Sequence, residues 1–244
     1  MSPWVYGRRA VEEFLEHAPE GALRLLVARG ARVPGEIIRR AREAALPVEE
    51  VSRPELDRRS GGVRHQGVAL EVGGWSYRDL DEVAARADTC ALPLVVALDC
   101  VQDPRNLGAV LRVVDAVGAA GVVLPKDRSA GLGPVAVRAS AGAVASVPVA
   151  RVVNLARALD ALRGRGFWVY GTSAGGENLF GAEVRFPAVL VLGSEHRGMR
   201  PNVAARCDRT LALPMRGAVG SLNVAAACAV VCYELLRRRS GSAG

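Results

Sequence analysis

Residues 189–238 constrain the fold more than any other stretch of this chain. The run Val189-Leu190-Val191-Leu192 ends at Gly193-Ser194-Glu195. A second run, Leu211-Ala212-Leu213-Pro214-Met215, leads through Arg216-Gly217-Ala218-Val219-Gly220 to Ser221-Leu222-Asn223. Residues 225–236 are then small or apolar and read as one long helix. Apolar runs of this length, bounded by Gly or Pro, suit strands covered on both faces. The order is therefore strand, glycine turn, strand, glycine loop, close-packing helix. Ser221 reads as that helix's N-cap, since its hydroxyl can accept from an orphan amide of the first turn. Two such strand ends side by side present backbone groups with little side-chain cover, which suits a flat ligand such as an adenine ring with its ribose.

Upstream, strands and helices alternate. Residues 94–98, 121–124, 146–149 and 167–171 read as strands, and 105–117, 133–143 and 153–162 as helices. This pattern predicts an α/β fold with a parallel sheet covered by helices on both faces. Residues 1–74 read as a separate, smaller α/β unit, with helical apolar spacing at Val11, Phe14 and Leu15 and strands at 23–27, 48–51 and 68–72. Further helices fall at 34–45 and 54–59. Residues 75–91 read as a linker with an acidic, weakly helical piece, and 92–244 as the second domain. No Gly-x-Gly-x-x-Gly follows the first strand of either unit, which argues against an ordinary dinucleotide-binding domain.

The chain has 244 residues, 50% hydrophobic and 23% charged, enough for a sizeable core. Its formal net charge is +7, and Lys126 is its only lysine. Arginine's planar fork binds phosphate and stacks on bases, so the excess points to a polyanionic partner. A biased genomic base composition accounts for the arginine preference equally well. Residues 58–67 form a basic, glycine-rich loop, read either as a phosphate contact or as a solvated surface. Cys90, Cys100, Cys207, Cys228 and Cys232 include no CxxC pair, and no histidine stands at ligand spacing, so no metal site is expected. Cys228 and Cys232, four apart on an apolar helix, read as core thiols. No run reaches the length of a membrane span, no signal-peptide pattern opens the chain, and a cytoplasmic location is the expectation.

Three segments, in order, resemble the motifs of the SpoU (TrmH-type) RNA ribose methyltransferases. Residues 99–112, from Asp99-Cys100 through Asp103-Pro104-Arg105-Asn106-Leu107-Gly108 to Leu111-Arg112, resemble the first. Gly193-Ser194-Glu195-His196-Arg197-Gly198-Met199 resembles the second, and residues 213–224 the third. Tyr6-Gly7, Ala10-Val11 and His65-Gln66-Gly67-Val68 resemble the N-terminal domain that precedes the catalytic domain in part of the family. Lys126-Asp127-Arg128-Ser129-Ala130 and Ser140-Ala141-Gly142-Ala143 resemble the branch acting on a guanosine in the P loop of large-subunit (23S) rRNA. Other branches methylate tRNA or other rRNA sites. The resemblance implies an L30e-like N-terminal α/β domain that holds RNA. It also implies a SPOUT-type parallel-sheet methyltransferase domain with a C-terminal trefoil knot, whose knot forms the pocket for S-adenosylmethionine. Homodimers and an RNA partner are implied as well, without a metal.

The resemblance assigns roles to residues. Arg112 matches the catalytic arginine; a guanidinium beside the attacking hydroxyl stabilises a developing alkoxide, though arginine stays protonated and is a poor base. Asn106 reads as a ribose ligand or as a helix cap. Glu195 reads as orienting Arg112 or Asn106, or as capping a helix. Ser221 and Asn223 stand where the family keeps polar active-site groups. Gly193 allows close approach to the cofactor, and Leu213, Met215 and Leu222 surround the adenine or serve as core. Arg8, Arg9, Arg64, His65, Arg105 and Arg197 are the expected RNA contacts. The chain departs from the family at His196, where glycine is common, and at Ala225, where serine is. Two alternatives stand beside a 23S rRNA guanosine 2′-O-methyltransferase: a tRNA 2′-O-methyltransferase of the same family, and a non-catalytic RNA-binding ribosome-assembly protein.

Overall fold

A computed structural model describes residues 4–17, 19–73, 76–195 and 197–241. The first unit is a four-stranded sheet in the order β1-β4-β2-β3, built from β1 (Trp4–Tyr6), β2 (Ala22–Ala28), β3 (Val48–Val51) and β4 (Val68–Val72). β4 runs antiparallel to β1 and β2, and β2 runs parallel to β3. Strand alternation along β2 sends Leu25 to one face and Leu26 and Ala28 to the other. The first face is covered by α1 (Arg8–His17) and α2 (Gly35–Glu43), through Val11, Phe14, Leu15 and Ile37. The second is covered by α3 (Arg53–Ser60), through Leu56. The three-residue β1 is too short to leave a periodic signal and is the one strand of this unit that sequence patterning overlooks.

The second unit is a six-stranded sheet, all of it parallel, in the order β10-β8-β9-β5-β6-β7. Its strands are β5 (Leu92–Leu98), β6 (Ala119–Pro125), β7 (Val149–Val152), β8 (Trp168–Asn178), β9 (Ala188–Leu192) and β10 (Arg209–Ala212). β5 is buried throughout. Leu94, Val96 and Leu98 belong to the core that takes in α5 (Pro104–Ala116) and α10 (Val224–Gly241). Val95 and Ala97 face the opposite core, with Val83 and Ala84 of α4 (Leu80–Ala85), Leu155 and Leu159 of α8 (Leu155–Gly164) and Val203 of α9 (Pro201–Ala204). α4 thus covers the sheet from within the segment between the two units, and Arg78 N–H bonds the Val149 carbonyl at 2.8 Å.

Several boundaries differ from the periodicity. The helix expected over 133–143 breaks at Ala141 and Gly142, both at positive φ, into α6 (Pro134–Ser140) and α7 (Ala143–Ser146). α7 therefore runs into the expected strand 146–149, and β7 begins only at Val149, after Pro148. β8 continues through the exposed, glycine-rich 172–178, which carries no apolar pattern and is held by pairing to β10 across a register shift. β10 stops before Pro214, and among its residues only Leu211 is buried, because it is an edge strand rather than one covered on both faces. The ends of β9 and β10 are not side by side, since β8 lies between them.

Candidate active site

Glu195 joins the first turns of two helices. Its Oε1 accepts from Asn106 Nδ2 at 3.1 Å, from Asn223 Nδ2 at 2.7 Å and from the Val224 amide at 3.3 Å. Asn223 Nδ2 also donates to Asn106 Oδ1 at 2.9 Å, closing a triangle of side chains from three distant segments. The N-cap of α10 is Asn223 rather than Ser221. Its Oδ1 accepts from the amides of Ala225 at 3.0 Å and Ala226 at 3.4 Å. An asparagine is required for this double duty: one side-chain atom accepts from the helix while the other donates to a carboxylate. The carboxylate is also well placed against the positive end of the α10 dipole. Asn106 does not cap α5, because Asp103 does, accepting from the Arg105 amide at 2.8 Å. Glu195 therefore orients Asn106 and Asn223, not Arg112.

The loop that carries Glu195 is pinned at its base. A Cβ on Gly193 would lie 2.2 Å from Gly198 C and 2.3 Å from Met199 N, so the turn closes directly onto that glycine. Ser194 and Gly198 exchange backbone bonds at 3.1 and 2.8 Å. Met199 packs on Gly171, where a Cβ would meet its Cε at 2.6 Å. Arg200 then locks onto Asp99, a fully buried carboxylate at the end of β5. Asp99 Oδ2 accepts from the Arg200 amide, and Oδ1 from its guanidinium, all at 2.7 Å. The bond to Asp99 raises the Arg200 pKa further, and burial with the Asp99 charge raises that of Cys100. Sequence patterning overlooks this pair, although a carboxylate directly after an apolar strand was a signal for it.

Beside the triangle lies a cavity of about 760 Å³. Gly193, Glu195, Leu213, Met215, Ser221 and Leu222 all line it, joined by Leu192, Thr172 and Leu211. Its size fits a cofactor, and its walls combine apolar side chains with bare backbone. Met215 and Leu222 are 37% and 38% exposed, so the 213–223 segment is rim rather than core. Arg197 lines the same cavity, and His196 lies outside the described residues.

The other expected residues are apart from this triangle. Arg112 is exposed on α5, with no hydrogen-bond or ion-pair partner among the described residues. At about 100° and 1.5 Å per residue it stands roughly 120° around and about 9 Å along the helix from Asn106. It shares the outer face of α5 with Arg105, which grips Asp103 at 3.1 Å. Arg8, Arg9, Arg64 and His65 belong to the first unit. The His65 ring is 5% exposed; Nε2 stands 2.8 Å from Asp57 Oδ1, and Nδ1 accepts from the Gly67 amide at 3.0 Å. Both ring nitrogens are thus used inside the protein, so His65 shapes the loop that presents Arg64. Among the described residues no cluster of His, Cys, Asp or Glu is arranged to hold a metal, and no helix is long and apolar enough to cross a membrane. Cys228 and Cys232 are buried with sulfurs 3.8 Å apart, as core thiols, and the contact with Cys232, together with burial, raises the Cys228 pKa well above the ordinary range.

Comparison with known proteins agrees with this architecture. Residues 93–233 match the SpoU rRNA Methylase family, and residues 4–77 match RNA 2′-O ribose methyltransferase substrate binding. The chain is 41% identical to the 23S rRNA (guanosine-2′-O-)-methyltransferase RlmB of Pseudomonas aeruginosa, over 98% of this chain and 99% of that protein. Its fold resembles the SpoU methyltransferase AviRb of Streptomyces viridochromogenes in complex with AdoMet. The TM-score is 0.75 at 27% identity, covering 97% of this chain and 90% of that one. A putative TrmH-family RNA methyltransferase from Porphyromonas gingivalis aligns with a TM-score of 0.70 at 31% identity, covering 97% and 90%. The matched span takes in Asn106, Arg112, Glu195 and Asn223, and the chain belongs to the SpoU rRNA methylase family.

Proposed function

We propose that this protein transfers a methyl group from S-adenosylmethionine to the ribose 2′-hydroxyl of a guanosine in large-subunit (23S) rRNA, in its P loop. The observation that carries the reading is the closed triangle of Asn106, Glu195 and Asn223, whose Glu195 lines a cofactor-sized cavity. The cavity suits S-adenosylmethionine, with Leu213, Met215 and Leu222 beside the adenine, while Gly193 stays bare because its own loop at Gly198 and Met199 packs against it. Bound there, the cofactor would supply a methyl group on a sulfonium, and a neutral thioether would leave as the methyl–sulfur bond breaks, with no metal needed. Glu195 Oε1 is saturated by three donors, while its Oε2 takes none among the described residues and is left to accept from a ribose hydroxyl. Ser221 lines the same cavity. Arg112 supplies positive charge to the developing alkoxide or to the adjacent phosphate, orienting the hydroxyl without acting as base. Holding both reactants in line adds to this, and can remove roughly 7–11 kcal/mol of the barrier.

The same reading divides the chain into an L30e-like RNA-holding domain at 1–74, a connecting segment at 75–91 and a SPOUT methyltransferase domain at 92–244. A trefoil knot in the second is supported by the path of residues 213–223. They leave the edge strand β10 and return past the Glu195 loop to α5, where Asn223 bonds Asn106. A homodimer is supported by the outward face of α10, where Val230 and Tyr233 are 40% and 53% exposed one turn apart. An rRNA substrate sets the reaction in the cytoplasm. Arg8, Arg9, Arg64, Arg105 and Arg197 serve as RNA contacts, with His65 behind Arg64.

The test is calorimetric titration with S-adenosylmethionine and with NAD, followed by transfer of tritiated methyl to transcribed 23S rRNA and to tRNA. Saturable binding of S-adenosylmethionine alone, with label in 23S rRNA, is expected. Label confined to tRNA overturns the substrate. Tight binding of cofactor and rRNA without transfer favours an assembly protein over an enzyme.

A further inference from the structure

Arg64 stands between two clefts. On one side a cleft of about 800 Å³ is lined by Arg8, Arg32, Arg53, Arg64, Asp57 and His65. On the other, a cleft of about 600 Å³ lies where the first unit meets α6, lined by Arg9, Glu13, Arg64, Gln66 and Arg138. Several arginines of the first unit have no partner among the described residues, and the first cleft gathers three of them. Arg9, Arg24, Arg39, Arg40 and Arg59 of the same unit each pair with a glutamate. Arg32, Arg53 and Arg64 have no hydrogen-bond or ion-pair partner among the described residues, and the Arg8 guanidinium bonds only the Gln66 carbonyl, at 3.3 Å. The first cleft offers a single carboxylate, Asp57, and its Oδ1 is engaged by the buried His65 ring at 2.8 Å. Unpaired guanidiniums sharing one cleft repel each other unless an anion enters, and their forked geometry matches phosphate oxygens. Gly30 and Gly62 line this cleft at φ +73° and +91°, with nothing within 4 Å of where a Cβ would stand, so bare backbone is open to close approach.

The second cleft carries the charge across the unit boundary. Glu13 Oε1 meets Arg9 at 3.0 Å and its Oε2 meets Arg138 of α6 at 4.0 Å, so one carboxylate faces two guanidiniums. α6 is in direct contact with the helix bearing Arg112. A Cβ on Gly108 of α5 would lie 2.4 Å from the Ala136 carbonyl oxygen and 2.5 Å from Ala139 Cβ. Arg138 and Arg112 thus project from two helices packed without a gap.

We propose that the two clefts form one track for the phosphodiester backbone of the substrate RNA, gripped by Arg53, Arg32, Arg8 and Arg64 and passed across the boundary to Arg138. The inference rests on the RNA methyl-transfer reading and extends it: recognition is built by both units together, and Arg32, Arg53 and Arg138 are contacts for phosphate. Anchoring the strand at a distance fixes which ribose arrives at the reactive mouth, because the entropy of positioning is lost before the chemical step.

The experiment is fluorescence anisotropy with a fluorescein-labelled transcript of the 23S P-loop region, between about 50 and about 200 mM KCl. Four variants are compared with the wild type: the double change Arg32→Ala with Arg53→Ala, then Arg138→Ala, Arg138→Lys, and Arg42→Ala on α2 as an off-track control. The double variant and Arg138→Ala are expected to bind about tenfold more weakly and to lower the log–log salt slope by about 1 per lost phosphate contact. Arg138→Lys keeps most of the slope, Arg42→Ala matches the wild type, and S-adenosylmethionine affinity is unchanged in all. Wild-type affinity and slope for Arg138→Ala would overturn the track while leaving the methyl-transfer reading intact. Loss of S-adenosylmethionine binding in the double variant would overturn it too, because these arginines would then be holding the fold. A wild-type protein that ignores the transcript removes the methyl-transfer reading itself.

Discussion

Asn223 Nδ2 donates to Glu195 Oε1 at 2.7 Å while Asn223 Oδ1 caps the helix it begins. The two ends of one amide thus tie the start of α10 to the loop after β9. Asn223→Asp keeps the cap but sets a second carboxylate against Glu195 and removes both donors. Leaving a partner unsatisfied costs about 1–3 kcal/mol, so methyl transfer should fall about tenfold to a hundredfold. Glu195→Gln, which keeps an acceptor but loses the charge, should be milder than Glu195→Ala. Single-turnover rates decide this; equal rates for Glu195→Gln and Glu195→Ala would mean that the carboxylate's bonds do not matter.

Arg112 is exposed and has no partner among the described residues, so its removal should not disturb the fold. Arg112→Ala is expected to unfold in urea within about 0.5 kcal/mol of the wild type. S-adenosylmethionine affinity should be unchanged, while turnover falls about 100- to 1000-fold if the guanidinium stabilises developing charge. A normal rate would remove Arg112 from the chemistry.

Gly193→Ala asks whether the cavity wall is built by close backbone approach. The added Cβ would meet Gly198 C at 2.2 Å and Met199 N at 2.3 Å, both backbone, so the loop must shift. S-adenosylmethionine affinity should drop at least about tenfold, the cost of roughly 1.4 kcal/mol. Calorimetry showing wild-type affinity would place the cofactor elsewhere.

Glu234 ties the end of α10 to the domain. Arg237 and Arg238 hold its carboxyl down to about 2 from the ordinary 4.5, and Arg238 reaches the carbonyls of Leu179 and Ala182. A depressed carboxyl pKa stabilises the fold fully above pH 4.5, and the contribution disappears as pH falls toward 2. The stability gap between wild type and Glu234→Gln should therefore be constant near neutrality and close across that acid window. Urea unfolding at a series of pH values reads it; a gap that persists at the acid end would contradict the assignment.

Much of the layering was legible because β5 and β9 are continuous apolar runs and α10 is a continuous small-residue helix. What patterning missed was decided by pairing. β8 extends through residues 172–178 only because β10 is there to bond it. Within the site, Asn106, Glu195 and Asn223 were legible as a set from motif resemblance. Their mutual bonds were not, because residues 117 apart in the chain meet only once the sheet is built. Asn223 displaced Ser221 as the cap because the helix begins later than the glycine loop implied. His65 looked like a surface contact in a basic loop, yet its ring is enclosed by Asp57 and Gly67, a local folding that no composition reveals.

The most direct measurement is mapping of the methylated nucleotide after reaction of unmodified 23S rRNA with labelled S-adenosylmethionine, comparing wild type with Asn223→Asp. Label is expected on a single ribose 2′-oxygen of a P-loop guanosine, strongly reduced in the variant. Label on a base, or undiminished ribose label in Asn223→Asp, would contradict it.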